Sequence, residues 1–365
     1  MRSGPLSFTP PHCPRSYCRY HRCATGWRWI RYGTFTRRCA PQRIQRFRCV
    51  ACGATFSTQT FSTTYYLKRP ELLEPLFHRL LAGSGLRQII REAGCAHSTL
   101  AALCARLGRH ALLFLAAHAP PGPRREPLVI DGFESFAFSQ YHPLHLHLVV
   151  GAESHFAYAF THSRLRRKGR MTARQKRRRA LLEARHGRPA PNAIECDMAE
   201  AVRIAAPEPQ TLLVRSDEHP AYPRALRRLS AHRIRHEVTS SREARTPGNP
   251  LFAVNLMDLL LRHHSANHKR EGIAFSKRHQ AVIERAALLI LWRNYGKRFS
   301  ENHDGGTPAM RIGLKKRRLG VREILRQRLF PARVDLPAPW DGYYRREVDT
   351  PGIGHPRRHQ LRLAS

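Results

Sequence analysis

Two apolar stretches of the sequence each end in an aspartate: Pro127-Leu-Val-Ile-Asp131 and Thr211-Leu-Leu-Val-Arg-Ser-Asp217. Leu128, Val129 and Ile130 form an apolar, partly β-branched run, the pattern of a buried strand. A carboxylate at such a strand tip is costly unless it is paired, solvated or holding a cation. Two strands of one sheet that each deliver an Asp would bring two carboxylates to one divalent-metal site. Mg²⁺ (or Mn²⁺) suits that chemistry, because it takes carboxylates together with waters and phosphate oxygens. An Asp that only caps a turn explains either motif singly; the two together in so basic a chain favour the metal. A third acid lies in Leu251–Arg262, where Asn255, Asp258 and Arg262 recur at i, i+3 and i+7. They share one face of an otherwise apolar helix.

Sulfur supplies the second kind of chemistry. Cys49-Val-Ala-Cys52-Gly53 is a knuckle in which two thiolates bind one Zn²⁺ while the glycine permits the tight backbone. Cys13 and Cys18 offer the other pair, and the aromatic interval from Trp27 to Phe47 suits the strands of a zinc ribbon. Cys18 with Cys23, or a mixed site using His21, competes for the first pair, and Cys39 has no evident partner. Nine cysteines, most of them in the first 52 residues, argue for a local metal site over a disulfide framework. So short an N-terminal region also needs a staple to fold.

Charge narrows the partner. The chain has 64 Lys+Arg against 26 Asp+Glu, a formal +38 over 365 residues. A polyanion best relieves such self-repulsion, and a phosphate backbone is the obvious one. No apolar run approaches the ~20 residues needed to span a bilayer, and Met1-Arg-Ser-Gly-Pro-Leu-Ser-Phe8 lacks a signal-peptide core. The expected location is cytoplasmic, associated with the nucleoid, with no membrane partner.

The elements that must position these groups follow in order. Residues 1–66 form the ribbon. Residues 67–118 read as helices: an amphipathic one to Leu81, a short one from Leu86 to a glycine stop at Gly94, and a third opening at Ser98-Thr99 with Ser98 as N-cap and running through Leu107. That order is a helix-turn-helix whose last helix would enter a DNA major groove, with Ser98, Thr99 and Arg106 as candidate contacts. A Pro/Gly linker, 119–126, precedes a catalytic domain over 127–314. It opens with a three-stranded antiparallel meander and carries a basic insertion at about 164–209. Arg164–Arg179 has ten Lys or Arg in sixteen residues and is expected to be helical, with Arg166, Arg167 and Lys168 tracking a DNA backbone. The basic, Pro-rich segment 315–365 is expected to be loosely ordered.

With these residues in view, the chain resembles bacterial insertion-sequence transposases with a ribonuclease-H-like catalytic core. The resemblance spans nearly the whole chain: ribbon, helix-turn-helix, strand-Asp, strand-Asp and helix-acid in that order. The family's Asn-x-x-Glu helix motif is matched by Asn255-Leu-Met-Asp258 with Asp replacing Glu. Trp292-Arg-Asn-Tyr295 and Gly306-Thr-Pro-Ala309 are similar to its closing signatures. The resemblance implies an α/β fold, a ribonuclease-H-like mixed five-stranded sheet with flanking helices behind the zinc ribbon and helix-turn-helix. It implies Mg²⁺-dependent cleavage and strand transfer of DNA, with Asp131, Asp217 and Asp258 as the catalytic metal ligands and Asn255 and Arg262 in support. It also implies one Zn²⁺ on Cys13, Cys18, Cys49 and Cys52. The partners would be terminal inverted repeats, target DNA and further copies of the chain when DNA is bound. Glu271, in the basic segment Lys269-Arg-Glu271, is the competitor for the third acid. Glu134, Glu218 and His219 flank the site. A non-catalytic DNA-binding protein or a nuclease on the same core would share all but the joined acids or the strand transfer.

Overall fold

Leu128, Val129 and Ile130 are all fully buried, so the strand that carries them is covered on both faces. The computed structural model describes residues 8–269, 272–302, 305–326, 328–355 and 358. An N-terminal three-stranded antiparallel sheet runs β1 (Trp29–Thr36), β2 (Arg43–Cys49) and β3 (Thr55–Ser57). Three helices follow: α1 (Leu73–Leu81), α2 (Leu86–Ala93) and α3 (His97–Ala117). The central mixed sheet has the order β6-β5-β4-β7-β8. Its strands are β4 (Leu128–Phe136), β5 (Pro143–Gly151), β6 (Ala157–Arg164), β7 (Thr211–Ser216) and β8 (Arg233–Val238). The first three form the expected antiparallel meander, and β7 and β8 lie parallel beside β4.

Side-chain alternation divides the sheet into two apolar faces. Leu128, Ile130, Val149, Leu212 and Val214 pack with α5 (Ala193–Ala205) and α6 (Ala221–Arg227). Val129, Phe133, Leu146 and Leu148 pack with α7 (Phe252–His264), α8 (His279–Tyr295) and α3. The last shared apolar cluster also contains Leu73, Phe77 and Ile89 of α1 and α2. Residues 67–118 are therefore built into the same core as the central sheet and are not a separate module. So is α5, which lies within the stretch expected to be an insertion.

Several expectations are corrected. The third helix begins at His97 behind Ala96, with no side-chain cap, so Ser98 is not its N-cap. It runs ten residues past Leu107, because the apolar pattern from Leu100 to Leu115 continues and packs along α8. At 21 residues this helix is long and apolar enough to cross a membrane, against the expectation that no run was. Most of it is buried, however, as in the core helix of a globular fold. The 164–179 stretch is only partly helical: β6 ends at Arg164 and α4 (Ala173–His186) starts at Ala173 behind a Thr172 cap. Helix α9 (Pro308–Arg311) precedes the C-terminal segment. In its described residues that segment is not loose: it forms α10 (Val321–Arg326) and α11 (Ala338–Arg345), which bury Ile324, Leu325, Trp340, Tyr343 and Tyr344. Phe330 joins the aromatic core of the ribbon.

The closing signatures hold structure together. The Asn294 side chain accepts a hydrogen bond from the Ala157 N–H at 3.0 Å and donates to its carbonyl at 2.9 Å. It thereby satisfies the free side of β6, an edge strand. Thr307 caps α9 through Met310 N–H.

Candidate functional site

Strand pairing sets the first two acids. Leu128 lies opposite Val214 and Val129 opposite Arg215. Two residues further along these parallel strands, Asp131 stands level with Asp217, just past the end of β7. Alternation turns both toward the face that α7 covers. Phe252, at the start of α7, packs on His155 beyond the Gly151 end of the sheet, which pairs with Leu128. Ten residues on, the Arg262 guanidinium lies 4.3 Å above the Phe133 ring. The helix thus runs along β4. Stepping back one turn from Arg262, ~6 Å, and two residues from Phe133, ~6.7 Å, brings Asp258 alongside Asp131. Asn255 and Asp258 are half-buried on this same stripe.

Tyr222 of α6 reports on all three carboxylates. Its hydroxyl donates to Asp131 Oδ1 at 3.0 Å. Burial raises its pKa, and the negative charges of Asp131, Asp217 and Asp258 raise it further. Burial lifts the Asp131 carboxyl from its ordinary range to about 6 and Asp217 adds to the rise, while the Gly132 N–H and the Tyr222 hydroxyl pull it back. A half-buried acid held this high is one that a cation would stabilise in its charged form. The carboxylate donor set suits a hard dication such as Mg²⁺. The three carboxylates do not draw together as tightly as the cysteines do. Among the described residues, only Cys13, Cys18, Cys49 and Cys52 form a group of three or more with ligand atoms all within 4.8 Å of one another. Glu271 lies outside the described residues.

Around the acids stand groups the sequence flagged and others it did not. His219 donates its backbone N–H to Asp217 Oδ1 at 2.9 Å. Its pKa is lowered by burial, with Lys168 and Arg224 adding to the drop, so the ring is neutral near pH 7. Lys168 is therefore close to the site, while Arg166 is committed to Glu183 through two bonds of 2.8 and 3.1 Å. Arg167 stacks on Tyr141 at 5.1 Å. Glu134 pairs across the sheet with His145. Glu218 fastens the Ser241 loop, accepting its N–H and hydroxyl at 3.1 Å each, which makes it a structural group. Gly132 is required for packing: a Cβ there would sit 2.0 Å from the His145 ring. Neither Tyr222 nor His145 was singled out by sequence. Tyr222 lies five residues after Asp217, and that spacing alone does not mark it.

The thiol site is tighter. Cys13 and Cys52 Sγ are 3.6 Å apart and Cys18 and Cys49 Sγ 4.0 Å apart. Four sulfurs bound tetrahedrally to one zinc at ~2.3 Å stand ~3.8 Å from each other, so this set fits Zn²⁺. Gly53 adopts φ +70° and donates its N–H to the Cys49 carbonyl at 3.0 Å, closing the knuckle. Burial pushes the Cys49 thiol up, but hydrogen bonds from Trp27 Nε1, at 3.2 Å, and from the Cys52 backbone outweigh it and hold the group at about 7. Cys23 is exposed and bonds Thr25; Cys39 bonds the Leu67 carbonyl. His21 turns its Nδ1 to the Cys13 carbonyl at 2.8 Å. The first pair is thus Cys13 and Cys18.

Of the expected DNA contacts, Ser98 is exposed and Thr99 half-exposed on the first turn of α3, behind the three-residue turn 94–96. Arg106 instead donates to the Thr63 carbonyl at 2.8 Å, away from that turn.

No protein-family profile matches the chain, and no curated protein matches it. Among solved structures it is similar to a simian T-cell lymphotropic virus intasome in complex with the PP2A regulatory subunit B56 gamma. That match has 14% identity and a TM-score of 0.26 and covers 68% of this chain and 75% of that one. It is also similar to the HTLV-2 integrase catalytic core domain in complex with magnesium, in a dimeric form. There the identity is 14% and the TM-score 0.23, with 52% of this chain and 95% of that one covered. Likeness of this degree carries no inference about the chain.

Proposed function

We propose that the chain is a DNA transposase of the insertion-sequence kind, built on a ribonuclease-H-like core. It would cleave element ends and join them to target DNA by phosphoryl transfer. One observation carries the reading: Asp131 and Asp217 stand level on adjacent parallel strands while α7 brings Asp258 over them. Asp131, Asp217 and Asp258 would hold divalent ions, Mg²⁺ or Mn²⁺. Such ions, when bound, activate water or a 3′-hydroxyl and stabilise the leaving oxygen of an in-line displacement. Tyr222 fixes the Asp131 carboxylate, and His219 braces Asp217. Lys168, Asn255 and Arg262 border the acids, where they would orient phosphate oxygens. The ribbon, carrying one Zn²⁺, and the exposed start of α3 would read the terminal inverted repeats in a DNA-bound oligomer, in the cytoplasm at the nucleoid.

The test is an assay with the element's end sequence and Mg²⁺ that scores cleavage and joining separately. Asp131→Ala, Asp217→Ala and Asp258→Ala should each abolish both while end binding persists. Cleavage without joining would make it a nuclease. End binding by the wild type with neither reaction would favour the non-catalytic reading.

A further inference from the structure

A second charged site lies away from the acids, where α3, the exit of the ribbon and the C-terminal segment meet. A cleft of about 310 Å³ opens there, within the ~300–1,000 Å³ of small-ligand sites. Its walls carry Arg106, Arg109, Arg328 and Arg346 together with Tyr65 and Tyr66. Against these four cations stands Glu284, which pairs with Arg346 at 2.7 Å. Half-buried guanidiniums crowded in this way repel one another and leave the site short of negative charge. Burial and the neighbouring charges of Arg109 and Arg328 pull Arg106 down to about 10, still charged at any working pH.

The aromatic wall is unusual in its own right. Tyr66 adopts φ +59°, a left-handed conformation that a bulky side chain rarely takes and that clusters at ligand sites. The residue is 69% exposed, its ring edge-on to Tyr65 at 4.6 Å. Tyr65 is backed by Arg328, whose guanidinium lies 4.8 Å from its ring. An exposed aromatic face beside an arginine cluster is the composition of a platform for unpaired bases, with the base on the ring and the phosphate on the cations.

We propose that this cleft binds single-stranded DNA one nucleotide deep, its base stacked on Tyr66 and its phosphate held by Arg106 and Arg109. This deepens the transposase reading, on which it rests for the DNA partner. An end that has been opened for cleavage exposes such a nucleotide, and the cleft would keep it from re-pairing.

The experiment measures binding of a labelled thymidine octanucleotide to the zinc-loaded full chain by fluorescence anisotropy, over a range of salt. Tyr66→Ala should weaken binding by ~5- to 150-fold, the range of one lost stacking contact, with the salt slope unchanged; Tyr66→Trp should restore it. Arg106→Gln should lower the salt slope by ~0.7. Tyr66 is exposed, so its variants test the idea even if the arginine variant fails to fold. Unchanged affinity in Tyr66→Ala overturns the proposal. So does inorganic phosphate that competes as well as the octanucleotide at equal concentration, since that marks an anion site with no base. A wild type that binds the octanucleotide but neither binds nor cuts duplex ends would sink the transposase reading and leave the cleft standing. Duplex cleavage without octanucleotide binding would do the reverse.

Discussion

The Tyr222 hydroxyl donates to Asp131 Oδ1 at 3.0 Å, joining α6 on one face of the sheet to an acid that looks toward α7 on the other. This bond favours the ionised carboxylate. Tyr222→Phe removes it and raises the Asp131 pKa further, so the rise of Mg²⁺-dependent cleavage with pH should move to higher pH. A hydrogen bond to a charged group is worth about 1.5–3 kcal/mol, which implies a loss of at least tenfold near pH 6 and a smaller one at pH 8. Rates measured from pH 5 to 8.5 that fall by one constant factor would deny Tyr222 this role.

Asp131 should also cost stability. Its folded pKa of about 6 lies above the ordinary 3.8, so the folded chain binds that proton more tightly than the unfolded chain does. The resulting contribution is complete below about pH 4 and is lost as pH rises through about 6. Asp131→Asn cannot ionise. In magnesium-free buffer its Tm should exceed that of the wild type at pH 8, by the equivalent of on the order of 3 kcal/mol, and the two should converge near pH 4. A variant no more stable than the wild type at pH 8 contradicts this.

The ribbon should carry about one zinc per chain. Cys13→Ser, Cys18→Ser, Cys49→Ser and Cys52→Ser should each release it, whereas Cys23→Ser and Cys39→Ser should not. Trp27→Phe removes the bond that holds the Cys49 thiol at about 7, so zinc retention should then fail at a higher pH during an acid titration. Metal analysis of the dialysed variants decides each case.

Changes at Ser98 or Thr99 should weaken binding to a cognate end more than to random DNA. Lys168→Ala should weaken both alike and lower the salt slope by ~0.9. Arg166→Ala should do less, because Glu183 already occupies its guanidinium. Binding isotherms on both DNAs at several salt concentrations separate the outcomes.

Trp340 is buried against Phe160 and donates its indole N–H to the Phe160 carbonyl at 2.9 Å. Trp340→Ala should cost about 3–5 kcal/mol, seen as a lower midpoint in urea unfolding. A surface-like change of a few tenths would mean that the C-terminal helices pack less firmly than described.

The parts of the sequence with a strict local period were legible. The apolar runs ending in Asp131 and Asp217, the meander, and the Cys-x-x-Cys-Gly knuckle all carry their geometry in a few residues. What failed depended on contacts between distant segments. The reach of α3 to Ala117 was missed because it packs along α8, far along the chain. The segment after 315 looked loose because its Trp and Tyr residues are spaced among Pro and Arg, and their burial shows only against Phe160 and α3. Arg106 was read as an outward helix residue, but the Thr63 carbonyl that holds it comes from the exit of the ribbon. Tyr222 needed the strand register before its hydroxyl could be connected with Asp131.

The docking of the C-terminal segment onto the ribbon also sets an order of events during synthesis. Thr63 donates its hydroxyl to the carbonyl of Leu325, 262 residues later. Phe330 closes the aromatic floor beside Phe61, and Arg333 bonds the His21 carbonyl. At ~5–20 residues per second, the ribbon leaves the ribosome on the order of tens of seconds before those partners exist. A metal taken up in that interval would enter with one wall missing. A chain cut short before Phe330 would carry Asp131, Asp217, Asp258 and the four clustered cysteines yet leave that wall open, so the finished arrangement needs the chain through Arg333.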